Sequence, residues 1–436
     1  MEILHFLNGS EKILYLRKKA RITQEDLATT NLSRGYIGLM ENGRRNITEE
    51  ASKVLTMQFK KVLAEKNYNL DIDDRYFLRT REEEAEKYCK EKLENDKITL
   101  EELDIIKDIA EEYNLDTYMS KAFMLIGDIY YNKNEYETAF ENYFYSLDLI
   151  SSDNKQNNIE KANIYNKLGV CKYKLLNYHE AIIYYNKAKD KSKEVKDEKI
   201  YYYAIYNLSI CYKNIEKYEK AINEAQIFIN QYWKSENSED INNVIYAKGI
   251  QVSCYEAKGY IDYAINIIED IISNNKSLDK KVLGHLYNNL AYLYFKNKKT
   301  EEAIFYYSEA QNIRFKHDRM LLGHTLIEKA QVYLDLNLYN EAIILLQLGI
   351  EYSHIYNDKQ YAIEGYKFMK NIYKNLGVRN REKDIIKKII NLLENKILKI
   401  KYYNELSELC FKDEDYKNVQ FCNTKIKELI CDSQIS

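Results

Sequence analysis

The sequence contains no proline, and only 13 of its 436 residues are glycine. These two residues interrupt helices most strongly, so their scarcity makes long helices easy to build and short strands joined by tight turns hard to build. Hydrophobic residues make up 45% of the chain and charged residues 31%, a balance that excludes global disorder. The composition therefore predicts an all-α fold.

Signals for secretion and for membrane insertion are also missing. The first twelve residues lack the basic segment and the apolar run of a signal peptide. No window reaches the ~18 uninterrupted apolar residues that a membrane span requires. Seven cysteines, an odd number, fit a reducing compartment better than a set of disulfides. We therefore expect a cytoplasmic protein with no membrane partner.

Motifs for catalysis, metal binding and phosphate binding are absent from the sequence. The cysteines show no C-x2-C spacing, and the six histidines form no H-E-x-x-H pair. No G-x-x-x-x-G-K segment is present to hold a nucleotide phosphate. We expect neither enzymatic activity nor a bound cofactor or metal.

Positive charge is concentrated near the N-terminus. The formal net charge is −3, yet residues 10–66 contain 12 Lys or Arg against 7 Asp or Glu. A basic segment followed by an acidic remainder indicates that this segment alone faces a polyanion.

Preferred N-cap residues mark four helices in this basic segment. We expect the helices to begin at Ser10, Thr23, Ser33 and Thr48, and to extend to about Ala20, Thr29, Glu41 and Val62. Asn42-Gly43 is a suitable left-handed end for the third helix. Two short helices joined by a turn within a basic bundle are typical of a helix-turn-helix.

The residues of this segment also resemble a known family. T-Q-E-D-L-A from Thr23, a turn, and S-R-G-Y-I-x-x-x-E-N-G-R-R from Ser33 resemble the lambda-repressor-like (XRE) DNA-binding domains, over roughly Ser10 to Leu63. The resemblance implies an ion pair between Glu41 and Arg17. It also implies contacts with double-stranded operator DNA from Gln24, Ser33, Arg34, Tyr36, Leu39, Asn42, Arg44 and Arg45.

Three features of this segment leave alternatives open. Arg44 and Arg45 could be ordinary solvated charges, and Tyr36 could cover the bundle. Gly35 and Gly38 depart from the family pattern. Each glycine weakens a helix by roughly 1 kcal/mol relative to alanine, so sequence preference could be modest or could depend on DNA shape.

A repeat of about 40 residues occupies most of the remaining chain. A small residue recurs at Gly127, Gly169, Ser209, Val252, Ala291 and Ala330, and an alanine follows each twelve residues later. Small residues at these spacings let the two helices of a hairpin cross closely. The pattern is that of tetratricopeptide repeats, stretched beyond the usual unit and without its terminal proline.

Cysteines and polar residues take fixed places in this repeat. Cys171, Cys211 and Cys254 each follow the small residue by two positions, so we expect them to pack in the core. The first helix of each hairpin should line the concave groove, where amides and tyrosines suit an extended peptide. The expected groove residues are Asn163, Asn166, Tyr173, Tyr203, Tyr206, Asn207, Tyr246, His285, Asn288, Asn289, Tyr292, His324 and Gln331. Any one of these asparagines could instead be merely solvated.

The combined architecture resembles the RRNPP family of peptide-pheromone regulators. We expect an all-α chain with a helix-turn-helix domain (1–66), a linker (67–74) and a right-handed tetratricopeptide-repeat superhelix (75–436) whose first and last repeats are degenerate. The resemblance implies a cytosolic homodimer in which a short linear signalling peptide controls operator binding. One alternative is a repeat protein that sequesters a signalling protein such as a response regulator, and another is a scaffold without a small ligand.

Overall fold

The computed structural model describes residues 6–67, 70–95, 97–151, 154–232, 238–274 and 278–431. Across these ranges the regular secondary structure is helical, apart from one isolated β-bridge between Thr29 and Leu32. The chain divides into two compact units, Met1–Ile215 and Glu216–Ser436. None of the described helices is both long and apolar enough to cross a membrane.

In the first unit, three helices form a small N-terminal bundle, and the following helices pack each on the next as antiparallel hairpins. The helices are α1 (Gly9–Lys19), α2 (Arg34–Glu41), α3 (Glu49–Glu65), α4 (Arg81–Leu93), α5 (Leu100–Glu112), α6 (Asp116–Asn132), α7 (Tyr136–Asp148), α8 (Lys155–Lys174), α9 (Tyr178–Val195) and α10 (Glu198–Asn214).

The second unit is also built of helices that pack on their neighbours along the chain. Its helices are α11 (Tyr218–Tyr232), α12 (Ser238–Ala257), α13 (Ile261–Asn274), α14 (Lys280–Lys296), α15 (Thr300–His317), a 3-10 turn (Arg319–Leu321), α16 (Leu322–Asp335), α17 (Tyr339–Ile355), α18 (Lys359–Asn375), α19 (Arg379–Leu392), α20 (Lys396–Lys412) and α21 (Tyr416–Cys431).

The N-terminal bundle, hereafter the head, consists of α1, α2, α3 and the residues between them. Its core contains Ile13, Leu27, Ile37 and Phe59, all fully buried. The third and fourth expected helices are confirmed, with Ser33 capping α2 and Thr48 capping α3. Gly43 follows α2 with a φ of 70°, as a left-handed helix end requires.

Two details of the predicted head are wrong. The first helix is capped by Asn8 and not by Ser10, because Asn8 and Glu11 form a reciprocal capping box. The second helix is reduced to a single turn over residues 24–27. Thr29 and Leu32 exchange backbone hydrogen bonds of 2.9 and 3.2 Å, which takes the chain out of helical geometry before the costly first helical turn can propagate.

Residues 70–79, which include most of the expected linker, pack against the head. Ile72 and Phe77 are buried, and the Phe77 ring stacks on Phe59 with centroids 5.3 Å apart. The buried Lys12 ammonium donates to Tyr76 O at 2.8 Å, to Arg79 O at 3.0 Å and to Glu84 Oε1 at 2.8 Å. Residues 68 and 69 of the linker lie outside the described residues, and the domain boundaries at 66 and 75 remain predictions.

The predicted repeat positions are confirmed by burial. All six small residues are buried, and so are the alanines twelve positions later. A Cβ added to Gly127 would lie 2.6 Å from the Tyr143 ring, and one added to Gly169 would lie 2.6 Å from the Tyr185 ring. Small residues therefore stand where a tyrosine of the second helix crosses the first helix.

The hairpin turns form without proline, through a left-handed residue seven positions after each small residue. These residues are Asn134, Leu176, Glu216, Gly259, Lys298 and Asn337, with φ between 59° and 80°. Left-handed geometry costs a residue with a side chain roughly 1–2 kcal/mol. Its recurrence shows that the turn is set by the packing of the repeat and not by local sequence preference.

The three cysteines at equivalent repeat positions are core residues, as predicted. Cys171, Cys211 and Cys254 are fully buried. Burial raises the pKa of both the Cys171 and the Cys211 thiols to about 12. These thiols therefore stay protonated and act as small apolar side chains.

Candidate functional site

The residues that the XRE resemblance assigns to DNA contact lie on or beside α2. Six of them are exposed, namely Ser33, Arg34, Leu39, Asn42, Arg44 and Arg45, whereas Gln24 and Tyr36 are half-buried. The Arg34 side chain is 70% exposed, and its guanidinium lies 3.8 Å from the Glu25 carboxylate. The Arg45 guanidinium lies 4.6 Å from the centre of the Tyr36 ring. Three arginines thus give this surface a positive charge that could meet a phosphate backbone.

The buried carboxylate of Glu41 lies at the end of α2 and binds side chains from other parts of the head. Arg17 donates to Glu41, with Nη2 2.6 Å from Oε1, so the pair implied by the resemblance forms. Gln24 Nε2 donates to Glu41 Oε2 at 2.8 Å. Burial alone would raise the pKa of Glu41, but the hydrogen bonds from Arg17 and Gln24 outweigh it and hold the pKa below its ordinary value. Gln24, expected at a phosphate, is bonded inside the head.

The two glycines of α2 have different surroundings. A Cβ on Gly38 would lie 3.4 Å from Gln24 Oε1, an ordinary van der Waals contact. A Cβ on Gly35 would meet no atom of the described residues within 4 Å. Close packing therefore requires neither Gly35 nor Gly38 to be a glycine.

In the first unit, the expected groove residues lie on α8 and α10. Asn163, Asn166, Tyr173, Tyr203, Tyr206 and Asn207 are all half-buried. Asn207 Nδ2 donates to Asn166 Oδ1 at 3.1 Å, and this bond joins the first helices of two successive repeats. The Asn163 amide has no side-chain hydrogen bond among the described residues.

In the second unit, the expected groove residues lie on α12, α14 and α16, and Asn288 is the most buried of them. Its Nδ2 donates to Glu328 Oε2 at 2.7 Å. Its Oδ1 accepts from Arg314 Nη1 at 3.1 Å and from Thr325 Oγ1 at 2.8 Å. Both ends of the amide are therefore engaged by the protein, and Asn288 connects the buried Arg314 guanidinium to the half-buried Glu328 carboxylate.

His285, also expected in the groove, is exposed but contacts this cluster. Arg314 Nη2 lies 3.2 Å from His285 Nδ1. Partial desolvation of the imidazole, followed by the charge of Arg314, lowers the pKa of His285. Burial raises the pKa of the Glu328 carboxyl, although the hydrogen bond from Asn288 and the charge of Arg314 act in the opposite direction.

His324 also has partners inside the protein. Its Nε2 lies 2.7 Å from Asp358 Oδ2, and its ring stacks on Tyr361 with the ring centres 3.4 Å apart. Burial would raise the pKa of Asp358, but hydrogen bonding to His324 outweighs it and lowers the pKa. The imidazole thus bridges α16 and α18.

The remaining expected residues are more accessible. Tyr246 is 61% exposed, Asn289 is exposed and Gln331 is half-buried. The amides of Asn289 and Gln331 make no side-chain hydrogen bond within the part of the chain that the structure describes. Tyr292 donates to Glu256 at 3.3 Å, and Asn289 and Tyr292 both line a cavity of about 210 Å³ between α12, α13 and α14.

Arg314, Glu328, Thr325 and Glu256 are site residues that the sequence patterns missed. The spacing of the repeat could have identified Glu328, because it lies 40 residues after Asn288, one repeat further along the chain. Arg314 lies on a second helix, which the groove prediction did not include. Among the described residues, no three His, Cys, Asp or Glu side chains converge as a metal site would require.

Comparisons with known proteins support the fold. The tetratricopeptide repeat family model matches residues 284–317, most of α14 and all of α15. The apo form of the quorum sensor NprR from B. thuringiensis is similar, with a TM-score of 0.50 and 18% identity over 80% of this chain and 100% of that chain. The fold is an all-α tetratricopeptide-repeat fold. The predicted fold class is therefore confirmed.

Two further solved structures are less similar. A Rap protein complexed with competence and sporulation factor has a TM-score of 0.43 and 14% identity over 80% of this chain and 98% of that chain. NprR in complex with its cognate peptide NprX has a TM-score of 0.39 and 15% identity over 71% and 89%. No curated protein matches the sequence.

Proposed function

We propose that the protein is a cytosolic transcription regulator of the RRNPP type, controlled by a short linear peptide. The observation that carries the proposal is a difference in hydrogen bonding among the asparagine side chains expected in the groove. Asn166, Asn207 and Asn288 are bonded between helices, whereas Asn163 and Asn289 have no such partner among the described residues. An unpaired amide on a helix of the groove can donate to and accept from a peptide unit.

The proposed peptide contacts therefore form a smaller set than the expected one. Five expected contacts already form hydrogen bonds within the protein, namely Asn166, Asn207, Asn288, His285 and His324. We therefore assign the peptide contacts to the other expected residues. The proposed contacts are Asn163, Tyr173, Tyr203 and Tyr206 in the first unit, and Tyr246, Asn289, Tyr292 and Gln331 in the second. The fold shared with a quorum sensor is consistent with a peptide ligand, and the choice of residues rests on their hydrogen bonding alone.

The head is the proposed DNA-binding element. Its support is the exposed positive surface around α2, where Arg34 would contact bases and Arg44 and Arg45 would contact phosphates. Ser33, Tyr36, Leu39 and Asn42 complete the surface, and Gln24 supports it through Glu41. A homodimer would place two such heads about one DNA turn, or a multiple of it, apart on a pseudo-palindromic operator.

Selection from a randomised double-stranded DNA pool tests this proposal. The full chain should enrich an inverted repeat, and the Arg34→Ala, Arg44→Ala double variant should not. The double variant Lys53→Ala, Lys60→Ala removes the same charge from exposed positions of α3 and should enrich the wild-type sequence. Failure of the wild type to enrich any sequence, or equal enrichment by the α2 variant, would refute the DNA-binding part.

One observation favours a second candidate, a regulator that sequesters another protein. The first helix of the expected helix-turn-helix is only a turn over residues 24–27, and a head that binds a protein has no need of that helix. This candidate predicts normal regulation in cells by the Arg34→Ala, Arg44→Ala variant, whereas the DNA-binding proposal predicts its loss.

A further inference from the structure

Close packing does not require Gly249, in the middle of α12, to be a glycine. The other helical glycines of the repeats would each place a Cβ within 3.3 Å of a neighbouring atom; they are Gly127, Gly169, Gly284, Gly323, Gly349 and Gly365. A Cβ on Gly249 would meet no atom of the described residues within 4 Å. Because glycine weakens a helix relative to alanine, something other than close packing explains this residue.

The position of Gly249 in the repeat suggests that reason. It stands three residues before the small residue Val252, the place that Asn166, Tyr206 and Asn288 occupy in their own repeats. A side chain is therefore missing at the position from which Asn166 and Asn288 bond to the next repeat. Gly249 lines the cavity of about 210 Å³ between α12, α13 and α14.

The walls of this cavity are mainly apolar. The apolar part is formed by Ile245, Val252, Ile268, Ile271, Leu286 and Leu293, none more than 9% exposed, and the polar part by Ser253, Glu256, Asn289 and Tyr292. An apolar cavity of about 150 Å³ can hold a benzene molecule, whereas pockets for drug-sized ligands measure about 300–1,000 Å³. The volume therefore suits one Leu-, Ile- or Phe-sized group and is too small for a whole cofactor.

The polar residues of the cavity have no free charge to offer a ligand. Glu256 Oε1 accepts from Lys296 Nζ at 2.7 Å and from the Tyr292 hydroxyl at 3.3 Å. The hydrogen bond with Glu256 raises the pKa of Lys296 to about 12, so the ammonium stays charged beside this carboxylate. A charged side chain in the cavity would lose its hydration without a new partner. Asn289, exposed beside the cavity, offers an unpaired amide.

We propose that this cavity binds one uncharged apolar side chain of the peptide, and that Asn289 pairs with the peptide unit next to that side chain. Gly249 keeps the cavity open. This inference depends on the proposed peptide-binding function and adds to it a requirement that the ligand must meet. It concerns the second unit alone.

The experiment has two steps and uses the full chain. Affinity selection from a pool of random short peptides identifies ligands of the wild type, which should share one Leu, Ile, Met or Phe. Calorimetric titration then compares the best peptide with its variant carrying Ala at that position. The Ala peptide should bind roughly 10- to 100-fold more weakly, as expected for the loss of one buried apolar side chain.

Protein variants locate the site. Gly249→Leu, which fills the cavity, should bind the best peptide at least roughly 10-fold more weakly than the wild type. Gly249→Ala adds only one methyl group at the edge and should bind almost as the wild type does. Asn223→Leu, at an exposed position of α11, controls for added apolar surface and should leave affinity unchanged. Circular dichroism of each variant verifies that it is folded.

The outcomes separate the two proposals. If no peptide is enriched, peptide binding itself is refuted and the cavity assignment falls with it. If peptides are enriched without a shared apolar residue, or bind Gly249→Leu as tightly as the wild type, the cavity assignment alone is wrong. If Gly249→Leu does not fold, the test uses the wild type and Asn289→Ala instead. The affinities of the best peptide and of its Ala variant are then measured on both proteins. An Asn289→Ala affinity equal to that of the wild type would then count against the proposal.

Discussion

The amide nitrogen of Asn288 lies 2.7 Å from the carboxylate of Glu328, one repeat further along the chain. Asn166 and Asn207 form the corresponding pair in the first unit, at 3.1 Å. In both pairs the first residue, Asn166 or Asn288, lies three positions before the small residue of its repeat. Its partner, Asn207 or Glu328, lies two positions before the small residue of the next repeat. A polar bond at this register thus joins successive first helices in each unit.

Replacing Asn288 should therefore affect stability, and replacing its neighbour should not. Asn288→Ala removes a partner from Arg314, Thr325 and Glu328, all in a buried cluster, and should lower the free energy of unfolding by about 2–3 kcal/mol. Asn289→Ala changes an exposed residue and should stay within about 0.5 kcal/mol of the wild type. Urea unfolding followed by circular dichroism measures both. Equal stabilities would show that the cluster contributes nothing.

The small residue of the repeat gives a second prediction. Gly169→Ala places a methyl group 2.6 Å from the Tyr185 ring, and the resulting overpacking of about 1–3 kcal/mol should exceed the gain of about 1 kcal/mol in helix propensity. The melting temperature should fall. Gly249→Ala is the matched control, because its methyl group meets open space and the melting temperature should rise. A rise for both variants would contradict the proposed role of the Tyr185 crossing.

The buried lysine of α1 gives a third prediction. Lys12→Met leaves the carbonyls of Tyr76 and Arg79 without their donor and removes one partner of Glu84, so it should destabilise the first unit by about 2–4 kcal/mol. Lys18→Met, at an exposed position of the same helix, should cost less than about 1 kcal/mol. Hydrogen exchange should then show lost protection in residues 70–79 for Lys12→Met only.

Glu328 gives a prediction on pH. Its pKa is raised in the folded protein by burial, so the stability that the protonated carboxyl contributes is present below the unfolded pKa near 4.5 and is lost as pH rises through the folded pKa. Glu328→Gln does not titrate. Its free energy of unfolding, relative to that of the wild type, should therefore increase between pH 4.5 and pH 7.5. A difference independent of pH would show that the pKa of Glu328 is not raised.

The repeats could be predicted from the sequence because their contacts tolerate few residues. Where two helices cross, only a small side chain fits, so Gly127 and Ala291 identify equivalent positions despite different neighbours. The partner of a groove asparagine is not restricted in this way, since Asn207 and Glu328 serve equally well as partners. The sequence therefore gives the place of Asn288 in the repeat but not its burial, and Arg314 on α15 could not be foreseen.

The head shows a different reason for failure. Thr23 and Asp26 satisfy the capping pattern and do bond to each other, with Asp26 Oδ2 accepting from Thr23 N at 2.7 Å. The pattern predicted a helix up to Thr29, yet only one turn forms, because the bridge between Thr29 and Leu32 competes for the same backbone. Capping residues fix where a helix can begin, whereas its length depends on tertiary contacts.

The most direct test of the account measures the coupling between peptide and DNA. A labelled duplex selected by the full chain is titrated with protein by fluorescence anisotropy, with and without a saturating amount of the selected peptide. The account predicts that the peptide changes the dissociation constant at least about 5-fold, the lower end of typical allosteric coupling. It also predicts that Arg34→Ala, Arg44→Ala abolishes binding under both conditions. Identical dissociation constants with and without peptide would contradict it.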